Sequence, residues 1–215
     1  MRTIGLLGGS FNPAHDGHRH ISLIALKRLQ LDAVWWLVAP RNPLKNAADL
    51  APYEARLASA QAVARHPRIR VSAIEQALGT LYTVDTLALL RQRYPKIRFV
   101  WLIGADNLIQ ISTWERWERI FSLVPVAVFA RSPYAFKAHA SVAARRFAEA
   151  RVAETRAAGL AWKSPPAWTF MHIRPHFGSA TSIRAMRRVE CCSPGCGEEP
   201  PWDNMPRGPG HTSDH

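Results

Sequence analysis

Apolar residues fall along this chain in two alternating rhythms. Short continuous apolar runs, bounded by glycine, proline or charge, alternate with stretches whose apolar residues recur every three or four positions. Residues 2–8 (RTIGLLG), 33–39 (AVWWLVA), 69–74 (IRVSAI), 97–104 (IRFVWLIG) and 125–131 (PVAVFAR) have the length and composition of buried strands. Residues 17–31 set Ile21, Ile24, Ala25 and Leu29 on one helical face. PYEARLASAQAVARH predicts a helix opened by Pro52, and TVDTLALLRQRY a helix capped by Thr83 and stopped before Pro95. Ser112 and Glu115 in STWE have capping-box spacing, predicting a short helix there. Residues 136–158 read as an arginine-rich surface helix, with Arg145 and Glu149 at i,i+4, and WTFMHI (168–173) as a last strand.

Alternation of this kind predicts an α/β fold: a Rossmann-like, doubly wound, mostly parallel sheet with helices on both faces. Ligands of such sheets gather beyond the carboxyl ends of the strands, near the switch point. GGSFNPAHDGH, APRNPLK and GADNL, the stretches richest in polar chemistry, each follow a predicted strand. Periodicity fades beyond Arg188, which predicts one domain over 1–188 and a Pro/Gly-rich acidic tail, poorly ordered, over 189–215.

Composition narrows the partners. The formal charge of the chain is +12, and the tail sets five acids against Arg207, so the rest is more basic still. A basic body attracts polyanions, whether nucleic acid, acidic membrane or phosphorylated small molecules. No base-stacking aromatic signature or zinc-finger spacing supports nucleic acid, and no apolar run approaches the ~20 residues that cross a bilayer. MRTIGLLGGSF makes a good strand and a poor signal peptide, so the expected location is cytoplasmic. Cys191, Cys192 and Cys196 all lie in the tail, at a spacing that suits neither a zinc site nor a closed disulfide set. The oligomeric state stays open.

The candidate chemistry begins at Gly8 and Gly9. Lacking Cβ atoms, they are expected to turn the backbone sharply and bring amides close to an anion. The helix that follows points its unpaired N–H groups at the same place. His15 and His18 share a face there, with Gly17 leaving room between them, and imidazoles in that position can donate to phosphoryl oxygens as charge builds. The bland alternatives are surface histidines at a helix start, an N-cap aspartate at Asp106, a solvated loop lysine at Lys45 and a core tryptophan at Trp114.

GGSFNPAHDGH resembles the first signature of the nucleotidylyltransferase superfamily, G-x-F-x-P-x-H-x-G-H, and SATSIR (179–184) resembles its second, S-x-T-x-I-R. APRNPLK, YTVDTL, LIGADNL and STWERWERI are further similar to bacterial nicotinate-nucleotide adenylyltransferases, over about residues 1–188. The resemblance implies transfer of the adenylyl group of ATP to nicotinic acid mononucleotide, giving deamido-NAD and pyrophosphate, with Mg²⁺ assisting. It implies that Gly8, Gly9, Ser10 and Phe11 line the ATP site and that His15 and His18 hold its α- and β-phosphates. Arg184 would grip the β- and γ-phosphates with Thr181 and Ser182 beside it, and Asp106 would accept from a ribose. Lys45 would meet the acceptor's phosphate, Trp114 its pyridine ring, Thr83 its carboxylate, and Arg131 a phosphate. Nicotinamide mononucleotide and phosphopantetheine are the alternative acceptors; a nucleic-acid-binding protein and a nucleotide-binding relative without activity are the alternatives of other kinds. Two departures stand out: Asn12 where many relatives carry Asp, and a tail unlike theirs.

Overall fold

The computed structural model describes residues 1–41, 49–130 and 135–173. Among these residues seven strands, β1 (Arg2–Gly9), β2 (Ala33–Val38), β3 (Ile69–Ser72), β4 (Ile97–Gly104), β5 (Val126–Ala130), β6 (Arg151–Val152) and β7 (Trp168–His172), form one sheet in the order β3-β2-β1-β4-β5-β7-β6. Every pairing is parallel. The predicted doubly wound sheet is therefore present, and its strand order reverses between β1 and β4.

Burial on both faces explains the continuous apolar runs. Successive residues of β4 alternate, with Phe99, Trp101 and Ile103 in one core and Val100 and Leu102 in the other. The first core lies under α3 (Ile74–Leu78), α4 (Thr83–Arg93), α5 (Ala105–Gln110), α6 (Trp117–Leu123), α7 (Ala135–His139) and α8 (Val142–Arg146). The second lies under α1 (Asp16–Arg28), α2 (Tyr53–Ala64) and a 3-10 segment, Glu154–Trp162. Among the described residues no helix is long and apolar enough to cross a membrane.

Several local expectations give way to tertiary structure. The helix expected over 136–158 is broken into α7, α8, a 3-10 turn, β6 and the start of the 3-10 segment. Arg151 and Val152 pair with Trp168 and Thr169 of β7, which forces extended backbone in the middle of the helical pattern. Arg146 lies 3.4 Å from Glu118 of α6, and no ion pair joins Arg145 to Glu149. Thr83 is the first residue of α4 rather than its cap; Tyr82 holds the cap position without a side-chain bond. The capping box at Ser112 and Glu115 does not form either. A 3-10 turn, Ile111–Thr113, leads into an extended Trp114, and Arg116 precedes α6 in a left-handed conformation.

Candidate functional site

The first strand ends at the switch point, and its loop is built differently from expectation. Gly8 and Gly9 both belong to β1, and neither has a positive φ. Gly8 is required for packing, because a Cβ there would strike the Trp101 ring of β4. A Cβ on Gly9 would make only ordinary contact with Phe11, 3.5 Å away. The turn is made instead by Phe11, at φ 47°, and by a cis Asn12–Pro13 bond. Phe11 is buried, stacking on Trp36 at 5.0 Å and touching His18 at 4.7 Å between ring centroids, so its ring supports the histidine from below. The departure at Asn12 has a visible use. Its amide donates to the Asp49 carbonyl at 2.8 Å while its Oδ1 accepts from the Ala51 amide at 3.2 Å; a carboxylate could make only the second bond.

His15 caps α1. Its Nδ1 accepts from the Gly17 amide at 3.1 Å, and His18 Nδ1 accepts from the His15 amide at 3.2 Å, a reciprocal pair of the capping-box type. The two rings lie 3.9 Å apart between centroids. Because each Nδ1 accepts, each neutral ring carries its proton on Nε2, and both become N–H donors at the amino end of a helix. Below them, Trp36 Nε1 donates to Ser22 Oγ, which donates to the His18 carbonyl, both at 2.8 Å. The helix start and the β2 strand thus hold the ring pair in place.

One arginine ties this loop to the next. Arg56 of α2 is 3 % exposed, and its guanidinium donates to four carbonyls: Ala51 at 3.0 Å, Ser10 at 2.8 Å, Ala39 at 2.7 Å and Pro40 at 3.0 Å. Burial pulls its pKa down from the usual arginine range, and the nearby Tyr53 acts the other way. Sequence reasoning passed over it, although a signal exists: Arg56 shares the i,i+4,i+8 stripe of α2 with the buried Ala60 and Ala64. A charge on an otherwise small and buried face marks a cation with fixed partners.

Asp106 stands in the first turn of α5, just past the end of β4 and hence beside the end of β1. Gly104 holds the N-cap position, and the Asp106 carboxylate folds back over it, where a Cβ would collide with Oδ1. Asp106 is exposed, at the switch point, and is not the cap. Thr83 opens α4, and Trp114 packs part of its ring on the first core, its Nε1 buried without an acceptor among the described residues. Lys45, Arg131, Thr181, Ser182 and Arg184, and the tail over 189–215, lie outside the described residues.

A second buried ionisable group was also missed. Glu75 of α3 is 8 % exposed and has the Thr86 hydroxyl of α4 at 3.3 Å from Oε1. Burial pushes its pKa up to about 7, from an ordinary 4.5, against the pull of the Thr86 hydrogen bond. The folded chain therefore keeps this proton over a range where the unfolded chain has lost it, so stability falls as pH rises from about 4.5 to about 7. Glu75→Gln is expected to remove that loss. Its advantage over wild type in chemical unfolding should grow by roughly 2–3 kcal/mol between about pH 5 and pH 8. A constant difference across that range would exclude a buried titrating Glu75.

Comparison with known proteins bears on this arrangement. The cytidylyltransferase-like family model matches residues 6–186. A Cereibacter sphaeroides protein called a probable nicotinate-nucleotide adenylyltransferase is 55% identical over 186 residues, 86% of this chain and 98% of its own. A Parvibaculum lavamentivorans protein of the same name is 54% identical over 181 residues, 84% of this chain and 90% of its own. Among solved structures, the nicotinic acid mononucleotide adenylyltransferase of Plasmodium falciparum complexed with NaAD superposes with a TM-score of 0.64. It is 15% identical, with 89% of this chain and 90% of that one covered, a likeness of fold.

Proposed function

Because the chain belongs to the cytidylyltransferase-like family, and within it to the nicotinate-nucleotide adenylyltransferases, we propose that it joins the adenylyl group of ATP to nicotinic acid mononucleotide, releasing pyrophosphate. The observation that carries this reading is the His15–His18 pair. Two imidazoles with Nδ1 engaged and the proton on Nε2 stand at a helix start on the switch point of a parallel sheet.

A 5′-phosphate oxygen of the mononucleotide attacks the α-phosphorus of ATP. The bond from that phosphorus to the α–β bridging oxygen breaks, and pyrophosphate leaves with the electron pair. The attacking oxygen is already anionic, so the protein needs no nucleophile of its own; alignment and charge stabilisation do the work. His15 and His18 donate from Nε2 to the α- and β-phosphates, along the axis of the α1 dipole. The backbone of Gly8, Gly9, Ser10 and Phe11 lines the ATP side, and Asp106 accepts from a ribose. Thr181, Ser182 and Arg184 receive the departing pyrophosphate. Lys45, Arg131, Thr83 and Trp114 serve the acceptor, the last two at its carboxylate and pyridine ring.

Mg²⁺ suits this site as a passenger on the triphosphate. Among the described residues no three His, Cys, Asp or Glu side chains converge, and Mg²⁺ commonly rides on phosphate oxygens and water. When bound it would draw charge from the phosphates, which the histidines and Arg184 hold from the protein side. Incubating the chain with ATP, Mg²⁺ and nicotinic acid mononucleotide should yield deamido-NAD and pyrophosphate. Parallel reactions with nicotinamide mononucleotide and phosphopantetheine test the alternatives; faster product formation from either would overturn the assignment of acceptor.

A further inference from the structure

The α4 helix runs from the carboxyl edge of the sheet back to the start of β4, and α6 likewise follows β4 before β5. The first turns of both helices therefore face the edge where the ligands bind. Asp85, in the first turn of α4, and Arg116, just before α6, meet there. Arg116 Nη2 lies 3.0 Å from one carboxylate oxygen of Asp85 and 2.8 Å from the other. Its Nε lies 3.5 Å from the neighbouring Glu115.

We propose that the Asp85–Arg116 ion pair is a positioning device for the acceptor mononucleotide, clamping the Trp114 segment to the entrance of α4. The proposal rests on the reading above, in which Thr83 and Trp114 grip the two ends of one nicotinate. Thr83 lies two residues before Asp85, and Trp114 two residues before Arg116, so the bridge joins the two short stretches that carry the grips. The core holds both stretches from one side, through Val84 of α4 and part of the Trp114 ring, and leaves the link between Trp114 and α6 to the bridge. Ile120 and Phe121 anchor α6 and are fully buried, whereas Glu115 and Arg116 are exposed and lie on the link between Trp114 and the helix. Arg116 also holds φ 46° and ψ 41°, a left-handed conformation that side chains other than glycine seldom adopt and that neighbouring contacts must sustain. Among the described residues no other ion pair joins these segments.

Both side chains are partly solvated, at 45% and 39% exposure, so the bridge adds little to global stability. Its effect belongs in acceptor affinity. Asp85→Asn removes the charge while keeping the shape and leaving the backbone at 116 alone. Arg116→Gly removes the pair and relieves the left-handed backbone at once. Each variant should raise KM for nicotinic acid mononucleotide by about fivefold or more, and the double variant should be no worse than either single one. KM for ATP and the melting temperature should stay near wild type. An unchanged acceptor KM in Asp85→Asn, an equal rise in KM for ATP, or additive losses in the double variant would overturn the clamp while leaving the reaction intact. A wild-type chain that makes no dinucleotide from this acceptor would instead overturn the reading of the site, and the clamp with it.

Discussion

Replacing His18 with alanine is expected to lower kcat by about a hundred- to a thousandfold while the chain stays folded. The ring's Nδ1 is already committed to the His15 amide at 3.2 Å, so the group it offers to the proposed reaction is the Nε2 donor. Alanine removes that donor from the point where charge builds during phosphoryl transfer, in a site that holds the ring against Phe11 and Trp36. The structural loss is smaller: half of a capping box, on the order of 1 kcal/mol. His15→Asn separates the two roles from the other side. Asparagine is among the best N-caps, so the variant should melt close to wild type yet lose turnover by a comparable factor. The measurement is kcat for dinucleotide formation beside a thermal melt. Near-wild-type turnover in His18→Ala would remove the histidine from the chemistry.

Arg56→Met should strongly destabilise the chain. Methionine roughly fills the volume of the arginine stem but leaves the carbonyls of Ser10, Ala39, Pro40 and Ala51 without their shared donor. Losing several charge-assisted bonds inside the protein costs about 3–5 kcal/mol, which in a domain of this size lowers the melting temperature by on the order of 10 °C. Lysine should recover only part of the loss, since a compact ammonium cannot reproduce a planar fork spread over four acceptors. Activity should fall beyond what the melt explains. Ser10 leads into the Phe11 turn below His18, and Pro40 stands just past β2, five residues before Lys45 in the sequence. Thermal melts, with kcat/KM for ATP measured well below the transition, check both parts. A methionine variant that melts with wild type would show the four bonds to be dispensable.

Much of this molecule is written in local pattern. Strands buried on both faces must be apolar throughout, so β1, β2, β4 and β5 stand out as runs, and the alternation with helices specifies the α/β class. The histidines of the first signature are equally legible, because N-cap and N3 positions three residues apart pair locally at a helix start, whatever the rest of the chain does. What only the tertiary structure decided depends on partners distant in sequence. β6 interrupts a good helical pattern because β7 offers it an edge. Gly8 is a glycine because Trp101, from a neighbouring strand, occupies the space of its side chain, and the turn falls to Phe11. Arg56, Glu75 and the Asp85–Arg116 bridge acquire meaning only once the fold brings their partners to them, since burial and pairing are set by the whole chain. Local sequence specifies periodicity and donor chemistry; which charge is desolvated, and against what, is settled by packing.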